Sequence, residues 1–431
     1  MRNRTVLIIS YYWPSSGGGG VQRWLKFAKY LPQNNWNVHV LVPKNADYPS
    51  YDPSLEKDIP NSVTVHKCRI WEPYNLFRVF TNREKGSKVN AGQFFDVGKQ
   101  SLKDKIALWI RGNFLIPDPR VFWKYFAYKK GKKLIPSINP DIIITTGPPH
   151  SVHLIGLAIK KRFNLPWIAD FRDPWSQLDI LEKCYSSRLA IGMQKRLESK
   201  VLRSADTVLT VSSTWGAELT ELGSVRTEVI TNGFDQEDFK NYESKRNEKF
   251  RIVHTGIITS LRNPEAFWET LNEICAENEL FRDKLDLFFI GNLDPGVKNS
   301  VTQYRYLANK FNYSGYVTHD KVICEYETSE LLLVLLNKSK NALGHIPGKI
   351  FEYLATNKPI LALGPTQGDA AKIIGNHGAT CDFDDKNAIK QYVLKVWENY
   401  IKKENYTFDS AMKYSRQNLT KELSGIMQDM L

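Results

Sequence analysis

The chain has 431 residues, of which 42% are hydrophobic and 24% are charged, as in ordinary globular proteins. This composition excludes collagen, a coiled coil and a wholly disordered chain, and the length predicts two or three domains. Lysine and arginine outnumber aspartate and glutamate by 59 to 46, which gives a net charge of +13. So basic a chain favours polyanionic partners, namely nucleic acid, anionic lipid head groups or phosphorylated substrates.

The cysteines and the hydrophobic runs indicate a cytoplasmic protein. The five cysteines are scattered and form no C-x-x-C pair, so we expect reduced thiols without a disulfide or a zinc site. The hydrophobic run at residues 6–9 is too short for the core of a signal peptide. No run reaches the roughly 18 residues of a transmembrane span.

The first half of the chain alternates strand and helix patterns. A glycine run at residues 17–20 separates the first strand from a helical spacing of hydrophobic residues. The order strand, glycine loop, helix, strand is a βαβ unit, which predicts a parallel, doubly wound α/β sheet. The strands predicted for this half are residues 5–10, 38–42, 141–145, 167–170 and 207–211.

Residues 71–134 differ from the rest because aromatic and basic residues alternate there. They include Trp109, Phe114, Tyr125, Lys103 and Arg111. This pattern is typical of an amphipathic element on an anionic membrane surface. A buried helical insertion with solvated charges explains it equally well.

The second half repeats the β/α alternation after a polar stretch at residues 236–249, which we interpret as a linker. We predict an N-terminal domain at residues 1–235, a C-terminal domain at 250–399 and a helical tail at 400–431 that packs on the first domain. Two such domains are expected to face a ligand-binding cleft. The strands predicted for this half are residues 250–255, 285–290, 331–335, 359–363 and 379–383.

Two places in the second half would bind an anion. Lys349 falls in the first turn of a predicted helix, where the helix dipole disfavours a cation unless an anion such as diphosphate binds there. Glu352 lies on the same helix face, where its carboxylate could accept the hydroxyls of a ribose. Arg262 precedes a second predicted helix, which Asn263 would cap, and an arginine there suits phosphate. An ordinary surface ion pair between Lys349 and Glu352 is the alternative.

The glycine run gives a weaker signal of the same kind. Gln22 stands where a G-x-G-x-x-G fingerprint needs its third glycine, and no lysine follows as in a Walker loop. A strand–glycine–helix junction nevertheless offers free N–H groups to an anion. Gly18, Gly19 and Gly20 are therefore candidate diphosphate contacts, with a plain flexible turn as the alternative.

These motifs together resemble the retaining glycosyltransferases of family four, which have a GT-B fold of two Rossmann-like domains. The resemblance rests on the glycine loop, residues 203–206 before a strand, residues 230–235 at the domain junction, and the helix with Lys349 and Glu352. Residues 147–151 and 170–175 are similar to a subgroup that makes surface polysaccharides and lipid-linked glycans.

The resemblance implies a nucleoside-diphosphate sugar as co-substrate, with no other cofactor. Arg262 and Lys349 would hold the diphosphate, and Glu352 would match the second glutamate of an E-x7-E motif that binds the ribose. Gly344 stands in place of the first glutamate, so His345, or the backbone at Gly344 and Ile346, would contact the donor sugar. His150 matches a family histidine that meets the donor sugar, with a structural loop histidine as the alternative.

A dense charge cluster follows the strand at residues 167–170. Asp170, Arg172 and Asp173 would orient the acceptor and meet an acceptor phosphate, or they would form a self-contained ion pair that shapes the loop. A metal site is not expected, because the D-x-D at residues 382–384 is better explained by helix capping.

The sequence therefore predicts a retaining glycosyltransferase that moves a sugar from a nucleotide sugar to a glycan or lipid-linked acceptor. The expected location is the cytoplasm, peripheral to the membrane. Two alternatives remain: a sugar-nucleotide epimerase of the same fold, and a catalytically silent nucleotide-sugar-binding or membrane scaffold. Nucleic-acid binding is not expected, because no basic stripe lies on a recognisable module.

Overall fold

The computed structural model describes residues 3–48, 50–72, 102–177, 181, 183–338 and 340–431. The chain separates into two compact units. The first comprises Met1–Thr231 with Arg416–Leu431, and the second comprises Asn232–Ser415.

The first unit is built on a seven-stranded parallel sheet with the strand order β3-β2-β1-β4-β5-β6-β7. The order reverses between β1 and β4, as in a Rossmann-like fold. The strands are β1 (Arg4–Ser10), β2 (Trp36–Lys44), β3 (Val63–Arg69), β4 (Ile142–Gly147), β5 (Trp167–Phe171), β6 (Thr207–Thr210) and β7 (Thr227–Val229).

Helices cover both faces of this sheet. Alternate residues of β1 supply the two cores, because successive side chains of a strand point to opposite faces. Val6 and Ile8 pack in one core and Leu7 and Ile9 in the other. The helices of the N-terminal part are α1 (Gly19–Tyr30), α2 (Leu102–Phe114), α3 (Trp123–Ile138), α4 (Ser151–Phe163), α5 (Arg188–Ser204) and α6 (Ser213–Glu221).

Part of the predicted basic-aromatic insertion belongs to the fold itself. Residues 73–101 lie outside the described residues. In the remainder, α3 connects β3 to β4 and buries Trp123 and Ala127 in the core. The partly exposed residues of β3 give no clear strand pattern, and without this strand α3 looks like part of an insertion.

The second unit has a six-stranded parallel sheet with the order β10-β9-β8-β11-β12-β13. The strands are β8 (Phe250–Thr255), β9 (Leu285–Ile290), β10 (Phe311–Ser314), β11 (Leu331–Leu335), β12 (Ile360–Leu363) and β13 (Gly378–Cys381). The helices of this unit are α7 (Glu265–Glu277), α8 (Glu279–Lys284), α9 (Pro295–Thr302), α10 (His319–Glu327), α11 (Lys349–Ala355), α12 (Asp369–Ile374) and α13 (Lys386–Lys402).

The ends of the two units differ from the predicted boundaries. Residues 236–249 lie in the second unit, where a 3-10 turn, Gln236–Phe239, packs Phe239 against the core. The last helix, α14 (Arg416–Asp429), belongs to the first unit and packs Leu419 and Leu423 beside α1.

None of the helices in the described ranges is long and apolar enough to cross a bilayer.

Candidate functional site

The centre of the second unit is the point where its strand order reverses. Strands β8 and β11 are neighbours there, and the loops that leave their carboxyl ends lead to α7 and α11. Such a junction forms a crevice for ligands in open α/β sheets. Lys349, the first residue of α11, lies at this junction and donates a hydrogen bond to the carbonyl of Thr255, the last residue of β8.

Lys349 lies in an electropositive surrounding. Burial and the neighbouring Arg262 guanidinium lower the pKa of Lys349 to about 8, although the Glu352 carboxylate partly opposes this. Burial also lowers the pKa of Arg262. Among the residues that the structure describes, no carboxylate forms an ion pair with either cation. Two cations left unneutralised beside each other are suited to a ligand with negative charge.

Arg262 reaches this junction as predicted from the loop before α7, but the start of that helix differs from the prediction. Arg262 ends a 3-10 turn, Ser260–Arg262, and α7 begins at Glu265 with Pro264 at the N-cap. Asn263, the predicted cap, instead accepts a hydrogen bond from the indole nitrogen of Trp268 at 2.9 Å.

Two histidines also lie at this junction, and each has a ring nitrogen without a partner in the described chain. His345 has a buried Nδ1 with no hydrogen-bond partner in the described chain, and burial with Arg262 and Lys349 lowers its pKa to about 4. His254 on β8 hydrogen-bonds the Leu333 carbonyl through Nδ1 at 3.0 Å, and its Nε2 is also without a partner. Burial and Lys349 lower the pKa of His254, so both rings are neutral at pH 7. Sequence reasoning missed His254, because a histidine inside an apolar strand looks like an ordinary core residue.

The backbone after β8 must be glycine. Gly256 has φ +120°, and a Cβ at this position would lie 2.5 Å from the Lys349 Nζ. Gly291, which follows β9, has φ +125°, and its Cβ would lie 2.2 Å from the Gly256 carbonyl oxygen. The two glycines thus allow the close approach of backbone and ammonium that places Lys349.

Glu352 is held by two side chains from α10. Its carboxylate accepts hydrogen bonds from the Tyr326 hydroxyl at 3.2 Å and from His319 Nε2 at 3.1 Å. Tyr326 and Tyr353 each lie 3.1 Å from the Thr255 hydroxyl, so this network links Glu352 to the end of β8. The ion pair between Lys349 and Glu352, the alternative in the sequence, is not formed. Sequence reasoning missed both tyrosines and His319, for which no local motif gives a signal.

The segment around Gly344 is only partly available to a ligand. Gly344 is buried at the end of a 3-10 turn, Lys340–Gly344, and the N–H of His345 donates to the Ala342 carbonyl. The Ile346 side chain is buried in the core. The His345 ring keeps a nitrogen without a partner in the described chain, and the backbone contact at Gly344 and Ile346 stays a prediction.

In the first unit, Arg172 connects two loops instead of standing free. Its guanidinium donates to the carbonyls of Gly20 at 2.7 Å, Pro148 at 2.6 Å and Gly147 at 3.1 Å. These bonds tie the start of α1 to the loop after β4. Arg172 is thus a positioning residue, which differs from the expected contact with an acceptor phosphate.

The glycine run shapes the start of α1. Gly18 is the N-cap residue with φ +90°, and α1 begins at Gly19. A Cβ on Gly20 would lie 3.0 Å from an Arg172 nitrogen. These glycines allow a tight turn and the approach of Arg172, and a diphosphate contact remains a prediction.

Asp170 is a structural residue, contrary to the expectation that it orients the acceptor. It is fully buried, and its carboxylate accepts hydrogen bonds from Arg23 at 3.1 Å, Trp24 at 2.6 Å and Thr146 at 2.8 Å. Arg23 also donates to the carbonyl of Ile230 at 2.9 Å. Asp170 therefore forms the self-contained ion pair considered above, but with Arg23 as its partner.

The carboxyl group of Asp173 has a pKa above its usual value. Burial and the Asp170 carboxylate raise its pKa to about 6, although Arg172 opposes the shift. Its carboxylate forms no hydrogen bond within the described part of the chain.

His150 lies at the N-cap of α4, enclosed by aromatic rings. The ring stacks on Trp175 at 5.1 Å and donates from Nε2 to the Pro174 carbonyl at 3.2 Å. Burial lowers its pKa to about 3, so it is neutral. His150 is 4% exposed and its Nδ1 has no partner in the described chain, so a contact with the donor sugar stays a prediction. Trp175 is buried as well, and its indole nitrogen donates to Gln194 at 2.7 Å.

A metal centre is not formed by the residues described. They contain no group of three or more histidine, cysteine, aspartate or glutamate side chains placed to hold a metal ion. The D-x-D segment lies before α13, where Asp385 caps the helix by accepting from the Ala388 N–H at 3.0 Å.

Comparison with known proteins gives a family for part of the chain. Residues 104–233 match the family model of the glycosyl transferase 4-like domain. No curated protein sequence matches the chain.

Solved structures similar to the chain share its whole architecture. A glycosyltransferase from Rickettsia africae aligns with a TM-score of 0.60 and 15% identity, over 100% of this chain and 99% of its own. HepE from Anabaena, solved with UDP-glucose, aligns with a TM-score of 0.61 and 12% identity over 99% of both chains. A putative UDP-N-acetylglucosamine 2-epimerase from Listeria monocytogenes aligns with a TM-score of 0.55 and 12% identity, over 99% of this chain and 96% of its own.

At these identities the solved structures show the fold, which is GT-B with two Rossmann-like domains, as predicted. The family match supplies the class of protein. Residues 104–233 thus form a glycosyl transferase 4-like domain, and the chain as a whole has a GT-B fold.

Proposed function

We propose that the protein transfers a sugar from a nucleoside-diphosphate sugar to an acceptor hydroxyl with retention, in surface-glycan synthesis at the cytoplasmic face of a membrane. The observation that carries the proposal is the pair of unneutralised cations, Lys349 and Arg262, at the reversal point of the second sheet. A diphosphate is an anion that would neutralise both.

The proposed reaction needs stabilisation of charge more than a nucleophile from the protein. The bond between the anomeric carbon and the diphosphate oxygen breaks, and the bonding electrons leave with the diphosphate. The acceptor oxygen attacks from the same face, and its proton passes to the departing diphosphate. Lys349 and Arg262 would stabilise the charge that develops there.

Glu352 suits the nucleoside part of the donor. Its carboxylate is about a quarter exposed, and His319 and Tyr326 occupy one lone pair on each oxygen. The remaining lone pairs can accept the two hydroxyls of a ribose. Because HepE was solved with UDP-glucose, UDP-sugars are the first donors to test.

Nucleotide binding tests this assignment directly. Thermal unfolding is measured with UDP-, GDP- and ADP-sugars, because a bound donor raises the melting temperature by mass action. We expect one nucleotide class to stabilise the wild type and to have far less effect on Arg262→Ala. The control is Arg305→Ala, which removes an exposed arginine from the same unit. A wild type that responds to no nucleotide, or an Arg262→Ala protein that responds like the control, would refute the assignment.

The epimerase alternative has support from the fold, which the Listeria protein shares. Product analysis separates the two activities. An epimerase converts the nucleotide sugar without an acceptor, whereas a transferase leaves its configuration unchanged and releases nucleoside diphosphate when an acceptor is added. Binding without either reaction in the presence of acceptor glycans would support the silent scaffold.

Membrane contact is supported by the exposed surface of α2. Leu102, Ile106 and Trp109 are exposed at helical spacing, and the exposed Lys103 and Lys105 lie beside them. An apolar stripe flanked by lysines suits an anionic lipid surface.

Vesicle sedimentation tests the membrane proposal. We expect binding to phosphatidylglycerol vesicles that falls strongly in the double variant Ile106→Ser/Trp109→Ser. Leu280→Ser, at an exposed leucine of the second unit, is the control. Equal binding to neutral and anionic vesicles, or no loss in the double variant, would contradict the proposal.

A further inference from the structure

The first unit contains a concave pocket where β5 and β6 end. About 240 Å³ of space, part of it open solvent, lies between walls that come from the loop after β5 and from α5 and α6. The polar residues that line it are Asp173, Gln177, Glu198, Thr210, Trp215 and Glu218. The site described above uses only Asp173 of these.

Two buried polar groups of the pocket have no partner in the described chain. Trp215 is 5% exposed and its indole N–H is unpaired, and Thr210 is fully buried with an unpaired hydroxyl. Buried hydrogen-bonding groups are normally paired, since leaving one unpaired destabilises the fold. These two groups therefore point to a polar atom that completes them.

Most of the other polar groups of the pocket are carboxyls. Glu198 on α5 accepts a weak hydrogen bond from the Ser176 N–H at 3.4 Å, and Asp173 and Glu218 form no ion pair in the described chain. Burial raises the pKa of all three. In a chain with a net charge of +13, this local acidity disfavours an anionic ligand.

The combination of groups selects the ligand. Trp215 supplies a donor and the carboxylates supply acceptors, and a hydroxyl group is the common ligand that satisfies both because it accepts and donates. A chelated metal ion does not fit, since the described residues offer no metal-binding group and an indole N–H cannot ligate a cation. The enclosed part of the pocket has room for one hydroxyl group.

We propose that this pocket is a subsite for a hydroxyl-bearing group of a neutral sugar, which belongs to the acceptor. The assignment of this sugar to the acceptor rests on the proposed glycosyl transfer, whereas the binding of a sugar in the pocket does not. A neutral acceptor sugar is thus recognised by Trp215 and Glu218, outside the loops that Arg172 holds.

The test uses the full chain with a panel of methyl glucoside, mannoside, galactoside and N-acetylglucosaminide. Saturation-transfer NMR detects the glycoside, and calorimetry with UDP is run on the same samples. We expect at least one glycoside to bind the wild type, and its affinity to fall roughly fivefold or more in Trp215→Phe and in Glu218→Gln, as for loss of one hydrogen bond. Nucleotide binding should be unchanged in both.

The control is Glu221→Gln, which removes the same charge from an exposed position one turn further along α6. The inference is overturned if no glycoside binds, as expected when the pocket holds only an ordered water, or if both variants bind the glycoside as the control does. If the wild type binds a glycoside but no nucleotide, the proposed function is contradicted and the glycoside subsite is not.

Discussion

The ammonium of Lys349 is hydrogen-bonded to the carbonyl of Thr255, which joins the first residue of α11 to the last residue of β8. The bond holds a cation at the reversal point of the sheet without neutralising it. Because Arg262 and burial lower the pKa of Lys349 to about 8, its charge is lost within the working range of many assays.

Nucleotide affinity should therefore depend on the protonation of Lys349. Lys349 is charged below about pH 8 and neutral above it, so we expect UDP affinity to fall as the pH rises through this value. A bound diphosphate favours the charged form and moves the midpoint upward. In Lys349→Arg the affinity should stay level over the same range, because a guanidinium keeps its proton.

Calorimetric titration of UDP at several pH values measures this dependence. Lys298→Arg, at an exposed position on α9, is the control and should titrate like the wild type. The same decline in Lys349→Arg as in the wild type would show that another group is responsible.

Gly256→Ala should damage both the fold and the site. Alanine is strained at φ +120°, and its Cβ would lie 2.5 Å from the Lys349 Nζ, so Lys349 has to move. We expect a loss of about 1–3 kcal/mol in the free energy of unfolding and weaker UDP binding. Gly315→Ala is the matched control, because no atom lies within 4 Å of its Cβ. If Gly256→Ala unfolds and binds UDP like Gly315→Ala, the close contact with Lys349 is not required.

The central strands were predictable from the sequence, whereas of the four edge strands only β13 was. Strands β8, β9 and β11 lie inside the sheet; β11 is a continuous hydrophobic run and the other two are mostly hydrophobic, as expected for strands buried on both faces. The unpredicted strands β3, β7 and β10 all lie at sheet edges, where partly exposed residues interrupt the pattern.

The candidate site was predictable where a residue type conflicts with its position in a helix or loop. Lys349 was identified because a cation is unfavourable at a helix start, and the structure brings it beside Arg262. The partners of Glu352 were not predictable, since Tyr326 is 26 residues away and meets it only through the fold. Arg23 is 147 residues from Asp170, so the sequence suggested the neighbouring Arg172 instead.

Arg23→Met should strongly destabilise the first unit. Both members of the Arg23–Asp170 pair are at most 1% exposed, and loss of the arginine leaves a buried carboxylate without its countercharge. We expect a loss of about 3–5 kcal/mol, seen as a large fall in the melting temperature. Lys240→Met removes an exposed ion pair with Glu237 and should cost at most about 1 kcal/mol. Similar melting temperatures for the two variants would contradict the structural role of the buried pair.

Asp173→Asn should stabilise the protein, and the gain should depend on pH in a defined direction. The pKa of Asp173 is raised from 3.8 to about 6 in the folded protein. Between these values the folded chain keeps a proton that the unfolded chain has released, so stability falls as the pH rises. Asparagine does not ionise and avoids this loss. The advantage of Asp173→Asn in melting temperature should therefore grow from about pH 4 to about pH 6 and then level off. Asp283→Asn, at an exposed aspartate, should show no such growth, and a constant difference for Asp173→Asn would mean that burial does not perturb this carboxyl.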